Sequence, residues 1–432
     1  MPTQLIWCQL VYPLKTSCNN MLKTFFCTFL VVSLLSACGG GGSGSVSAPG
    51  GSNAAVPAVS TVPGANVLSV TVDKGPAGNN VNRLYTEVTI CQTGSTTLCQ
   101  TIDHVLVDTG STGLRLLSEV VSPSLNLGRV AAASALPLLA CAQFVDNTFA
   151  WGSVVNADVT LGGKTATGIS VQMVGDPAFN RLARTCSSGT AVDTLAALGA
   201  KGVIGLSLFK EDCGPSCASV TNNGVYFTCT TTSCTAAAGT RVSVARQLKN
   251  PVPLFASDNN GFLIDLPTVE SAGAVSLNGS LIFGIGTQPN NQVTSRRVLT
   301  TSATGQFLTV LSGQSLDTSF IDTGSNGLFF DSSTIPTCTA DGISSFYCPA
   351  SLLTLSATQT GTNAASNPVV FSVDNATAYF ANPEKSVLPN LAGTIGIVRT
   401  FDWGLPFFYG RRVFTGIEGQ PSVLGTGPFY AF

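Results

Sequence analysis

Residues His104 to Leu117 read HVLVDTGSTGLRLL, and residues Phe320 to Phe330 read FIDTGSNGLFF. Aligned on Asp108 and Asp322, the two stretches share Asp, Thr, Gly and Ser, then a Gly and a Leu at the same offsets. Each follows an apolar run that predicts a buried strand. One Asp-Thr-Gly string alone reads as a strand entering an Asx-type turn. Two in phase predict an internal duplication whose halves each present one aspartate. Outward from these loops, strand-like runs bounded by Gly and Asn recur along the chain. VLSVTVDKG from Val67 and LYTEVTIC from Leu84 to Cys91 alternate like half-buried strands, with turns at Gly75 and Asn79-Asn80. Little of the chain has helical periodicity; Thr194 to Ala200, TLAALGA, is one short helix expected. The predicted class is all-β with a few short helices.

At 432 residues the chain has room for two cores, because a single core stops growing at about 250–300 residues. Charged residues make up 10% of it and the formal net charge is -2, so there is no basic surface for a polyanion and nucleic acid is not an expected partner. His104 is the one histidine. That removes His-Glu-x-x-His and poly-His metal centres, and no metal or cofactor is expected. A Ser-His-Asp triad would have to use His104, which sits four residues before Asp108 in a strand-like run and reads as a hydrogen-bonded structural histidine.

Residues Met21 to Cys38, MLKTFFCTFLVVSLLSAC, carry an early lysine, an apolar run from Phe25 to Leu35 and a small-residue junction ending in cysteine. The apolar run is too short to span a bilayer and predicts an export signal over 21–37. Leu35-Ser36-Ala37-Cys38 resembles a bacterial lipobox, which implies lipidation of Cys38; an ordinary secretory signal with a chance cysteine is the alternative. Residues 1–20 lack this logic and read as an over-extended start. Gly39, in place of Asp, resembles lipoproteins sorted to the outer membrane. Residues 38–65, rich in Gly, Ser, Ala and Pro, cannot bury a core and predict a flexible tether. The tether contains no Lys or Arg, so no basic pro-segment is visible in it.

Beyond the signal and Cys38 stand ten cysteines. An even number in an exported chain predicts disulfides. Proximity suggests Cys91–Cys99, Cys141–Cys186, Cys213–Cys217, Cys229–Cys234 and Cys338–Cys348. By spacing alone, Cys213, Cys217, Cys229 and Cys234 also fit a metal site, a reading that an oxidising compartment disfavours.

Two carboxylates held close together in a partly desolvated cleft cannot both ionise cheaply, so they share a proton. One can then take a proton from a water lodged between them while the other gives a proton to a carbonyl oxygen under attack. The expected catalytic pair is Asp108 and Asp322. Thr109 and Thr323 can hydrogen-bond between the loops, Gly110 and Gly324 allow close backbone approach, and Ser111 and Ser325 can donate to the outer carboxylate oxygens.

With these loops the chain resembles the pepsin-like aspartic proteases, and most closely a set of bacterial lipoproteins carrying two such motifs. The likeness extends to Gly202-Val203-Ile204-Gly205-Leu206, to Phe262 through Leu266 with Leu281-Ile282-Phe283-Gly284, and to Leu405 through Glu418. It covers most of residues 67–432, although only the Asp-Thr-Gly-Ser loops are specific in themselves. The resemblance implies a bilobal fold, with an N-terminal lobe over 66–257 and a C-terminal lobe over 258–432, and a monomeric aspartic endopeptidase. It also implies an acidic optimum and extended peptide or protein substrates with apolar side chains beside the scissile bond. Three departures stand out. The span Cys141 to Gly163 has no flap tyrosine, leaving Phe144, Phe149 or Trp151 as lid candidates; Pro406 reads as standing where a glycine is expected beside Asp322; and Leu116 or Leu117 replaces a supporting tryptophan. These departures motivate an alternative, a catalytically silent binding or inhibitor protein of the cell envelope, and a weaker one, a surface scaffold.

Overall fold

A computed structural model of the protein describes residues 64–186, 189–234, 239–293 and 297–432. The expected start, the signal segment, Cys38 and all but the end of the tether lie outside the described residues. These are predominantly β, with α-helices only at Leu195–Leu198, Pro215–Ser219 and Ala376–Phe380. The first falls inside the expected 194–200 helix. Thr194 caps it by accepting the Ala197 N–H, and Gly199, at φ 66°, ends it in the left-handed region. No helix among the described residues is long and apolar enough to cross a membrane.

Strand Val67–Val72 buries Leu68, Val70 and Val72 on one face, the period-2 pattern its sequence carries. Each such side chain contributes about 1.5–3 kcal/mol on burial. It pairs antiparallel with Leu277–Phe283, which pairs in turn with Gly261–Asp265, then Arg412–Gly416, Phe429–Ala431 and Val298–Thr300. The start and the end of the described chain therefore share one sheet. Both its faces are buried: Phe262, Ile264, Leu281 and Phe283 join the main core, while Leu263, Ile282, Phe414 and Phe429 pack on the other side.

The two Asp-Thr-Gly-Ser stretches lie in the same strand arrangement. Cys99–Asp108 enters the first loop and Thr112–Leu117 leaves it, and Gly202–Leu206 is inserted between them, parallel to the former and antiparallel to the latter. Gln314–Ile321 and Leu328–Phe330 flank the second loop, with Phe401–Trp403 inserted in the same sense. The registers correspond residue by residue. Ile204 pairs with Val107 and Leu114, as Trp403 pairs with Ile321 and Leu328.

This register corrects the reading of Pro406. Gly205 lies where an added Cβ would stand 2.6 Å from Thr112 N and 2.7 Å from Ser111 O. Its counterpart is Gly404, where a Cβ would meet Gly327 O at 2.1 Å and Ser325 O at 2.7 Å. Pro406 is two residues further on, buried in the 3-10 turn Leu405–Phe408. The glycine is thus present. It escaped notice because Phe401–Trp403 has an aspartate at its centre and does not read as an apolar strand.

Asn82 fastens distant parts of the chain together. Held at φ 49°, it donates from its side chain to Asn326 O and Leu388 O, both at 2.8 Å, and accepts from Leu388 N and Tyr409 OH. Among the described residues the disulfides formed are Cys91–Cys99, Cys141–Cys186, Cys213–Cys217, Cys229–Cys234 and Cys338–Cys348. Cys213, Cys217, Cys229 and Cys234 are thereby paired as bridges and not as a thiolate set. His104 sits among surface groups, with Nδ1 2.7 Å from Asp103 Oδ2 and its ring against Tyr85.

Candidate active site

Each aspartate stands at the C-terminal end of a buried strand, where the chain turns sharply through Thr-Gly-Ser. Asp108 Oδ1 accepts from Gly110 N at 2.8 Å, and Asp108 Oδ2 accepts from the Ser111 hydroxyl. The second loop repeats this. Asp322 Oδ1 accepts from Gly324 N at 2.7 Å and Oδ2 from Ser325 Oγ at 2.9 Å. The loops are joined by a reciprocal pair of bonds: Thr109 N donates to Thr323 Oγ1 at 3.1 Å, and Thr323 N donates to Thr109 Oγ1 at 3.0 Å. Thr323 Oγ1 then donates to Val107 O at 2.7 Å, and Thr109 Oγ1 to Ile321 O at 3.5 Å. All of these side chains are buried, and Asp108 and Asp322 are 0% exposed. The structure thus brings together Asp108, Thr109, Gly110, Ser111, Asp322, Thr323, Gly324 and Ser325.

Burial pushes both carboxyls above the usual carboxylate range. The two are then separated by their surroundings. Asp108 is relieved by hydrogen bonds from Asp322, Ser111 and Gly110 and by the positive charge of Arg115. Asp322, raised first of all by burial, instead has two other acids beside it, Asp108 and Asp402, and goes well above the usual range. The two therefore share a single proton, which belongs to the pair.

The asymmetry comes from two positions that the strand register equates. Arg115 pairs with Val203, while Phe329 pairs with Asp402. A buried cation therefore backs the first loop and a buried acid backs the second. Arg115 Nη1 donates to Thr112 O at 2.8 Å, and Nη2 lies 3.9 Å from Asp212 Oδ2. Tyr226 OH donates to Asp212 Oδ1 at 2.7 Å. Burial lifts Asp212 to about 7 against the pull of Arg115 and Tyr226. Arg83 is a second buried cation here. Burial lowers its pKa, opposed by Tyr85, Asp146 and Asp108. Sequence reading missed Arg115 and Asp402. The signal was in view, since each is a charged residue inside an otherwise apolar strand, GLRLL and FDW.

The three lid candidates are packed aromatics. Phe144 joins Tyr85, Leu106 and Leu117 in one cluster. Phe149 and Trp151 lie in another, with Phe179, Phe227 and the Cys141–Cys186 bridge, and Trp151 Nε1 donates to Phe179 O at 2.9 Å. Leu116 and Leu117 fill opposite faces of their strand. Among the described residues no group of three or more His, Cys, Asp or Glu side chains is placed to hold a metal ion.

A family model described as "Protein of unknown function (DUF3443)" matches residues 63–432. The chain belongs to the DUF3443 family. That match takes in both aspartate loops, the inserted strands and all five disulfides. No curated protein matches the chain.

Proposed function

We propose that the protein is an aspartic-type endopeptidase of pepsin-like, bilobal build, formed by an internal duplication with lobes over 66–257 and 258–432. It is exported, held on the bacterial outer membrane by lipid on Cys38, and acts as a monomer on peptide or protein substrates. The observation that carries this reading is the reciprocal Thr109–Thr323 pairing. It holds two carboxylates together, each with the same set of loop donors. In this reading one aspartate of the pair takes a proton from a water that attacks the scissile carbonyl carbon, while the other gives the shared proton to the carbonyl oxygen. Return of a proton to the amide nitrogen lets the carbon–nitrogen bond break. No covalent intermediate is formed. Activity requires the shared proton and is lost as pH rises past the point where the pair gives it up; burial, the largest influence on both groups, sets that point above the ordinary carboxylate range.

A second reading, a catalytically silent binding or inhibitor protein, is favoured by the complete burial of both aspartates and by the lack of a tyrosine in the hairpin span 141–163. One experiment separates the two. The oxidised full-length chain in detergent is incubated with a mixed peptide library from acid to neutral pH, beside Asp108→Ala. Cleavage at low pH that Asp108→Ala abolishes supports the endopeptidase. A folded protein that cleaves nothing at any pH sinks it.

A further inference from the structure

Asp402 lies in the inserted strand Phe401–Trp403, with Phe320 and Phe329 opposite it on the neighbouring strands. Phe401 and Trp403 stack on each other at 3.9 Å in the main core. Asp402 is 0% exposed. Its Oδ2 is 2.5 Å from Ser325 Oγ, and its Oδ1 is buried without a hydrogen-bond partner. At the equivalent position beside the first loop the chain has Val203. An apolar residue thus suffices to build this strand, and the carboxyl needs another explanation.

The explanation lies in the hydrogen count at Ser325. Its hydroxyl carries one hydrogen, yet Oγ stands at hydrogen-bond distance from two carboxyl oxygens, Asp322 Oδ2 at 2.9 Å and Asp402 Oδ2 at 2.5 Å. If both were bare carboxylates, one contact would set lone pair against lone pair. A carboxylic proton must supply one of the bonds; the proton of the pair is engaged between Asp108 and Asp322, so Asp402 is the acid left to donate it. The charged groups that face Asp402 are Asp322, through Ser325, and Asp108; both are acids and neither favours its ionisation.

We propose that Asp402 is a positioning residue of the site: as a neutral acid it donates to Ser325 Oγ and turns the single Ser325 hydrogen towards Asp322, so that Asp322 receives the same hydroxyl donation that Asp108 receives from Ser111. Donation then runs one way, from Asp402 to Ser325 to Asp322. Loss of the Asp402 proton reverses the Ser325 hydroxyl and puts a second negative charge beside the pair. As a statement about catalysis, the proposal rests on the hydrolytic reading above.

The test has one arm that needs no activity. Infrared spectra of the full-length protein at neutral pH are compared with those of Asp402→Asn, whose amide can still donate to Ser325, and of Asp402→Val, which copies Val203. The wild type minus Asp402→Asn difference contains one lost carboxylic-acid carbonyl stretch. The exposed Asp317→Asn control loses none. Asp402→Val also displaces the acid stretch that Asp322→Asn removes. In the activity arm, the alkaline limb of Asp402→Asn moves to higher pH than the wild type, while Asp402→Val loses about tenfold in kcat/KM with KM little changed. Absence of the lost acid stretch, or an unmoved Asp322 stretch in Asp402→Val, overturns the proposal whether or not the protein hydrolyses peptides. Asp108-dependent hydrolysis whose pH profile is the same in all three proteins overturns it as well. If the stretches behave as described but no peptide is cleaved, the hydrolytic reading alone fails.

Discussion

Replacing Gly404 by alanine tests the register on which the site depends. Gly404 sits at φ -72° and ψ -168°, angles any residue adopts, so a methyl group there adds no backbone strain of its own. The cost is contact. The new Cβ would lie 2.1 Å from Gly327 O and 2.7 Å from Ser325 O, whereas carbon and carbonyl oxygen rest at about 3.3–3.6 Å. Both obstacles are backbone, so the inserted strand must back out of the Asp322 loop by about 1 Å or more. That movement stretches Asp322 N to Trp403 O, now 3.1 Å, and Leu405 N to Ser325 O, now 2.8 Å. Overpacking of this kind costs about 1–3 kcal/mol, and each weakened bond adds about 1 kcal/mol, giving about 3–5 kcal/mol in total. The assay is denaturant unfolding of the oxidised protein. Gly128→Ala, with nothing within 4 Å of its new Cβ, serves as the neutral reference, and Pro406→Ala stays within about 1 kcal/mol of wild type. If Gly404→Ala unfolds at the same midpoint as Gly128→Ala, the placement of Phe401–Trp403 beside Asp322 is wrong.

Two further outcomes follow from the buried polar groups. Thr109→Val removes the acceptor of Thr323 N and leaves that buried N–H unpaired, so thermal denaturation should show a loss of about 1–3 kcal/mol that Thr109→Ser largely avoids. Stability should also depend on pH in an uncommon direction. Asp212, lifted to about 7 by burial, binds more protons folded than unfolded between its unfolded pKa of about 3.9 and 7, and stability therefore falls as pH rises through that window. Asp108, Asp322 and Asp402 are shifted the same way by the same cause. Unfolding midpoints measured across the window should decline with pH, and less steeply in Asp212→Asn; a flat or rising wild-type profile would contradict this.

The strand class, the two aspartate loops, the short helix near Leu195 and the five disulfides were legible because each rests on local information. Side-chain alternation follows from strand geometry, the loops repeat within the chain, and four of the five bridges join cysteines 4 to 10 residues apart, while Cys141–Cys186 spans 45. Gly404, Arg115 and Asp402 were not legible as parts of the site. What matters about them is which residue lies across the sheet, and the parallel partners Phe320 and Asp402 are joined by a long stretch of chain. Sequence by itself determined that two equivalent carboxylates exist, each with its own Thr, Gly and Ser. Only the tertiary structure made them unequal, because the inserted strands carry Val203 on one side and Asp402 on the other, and Arg115 answers Phe329. In a dry interior polar and charged groups are weakly screened, so these two substitutions at equated positions give the two aspartates different surroundings.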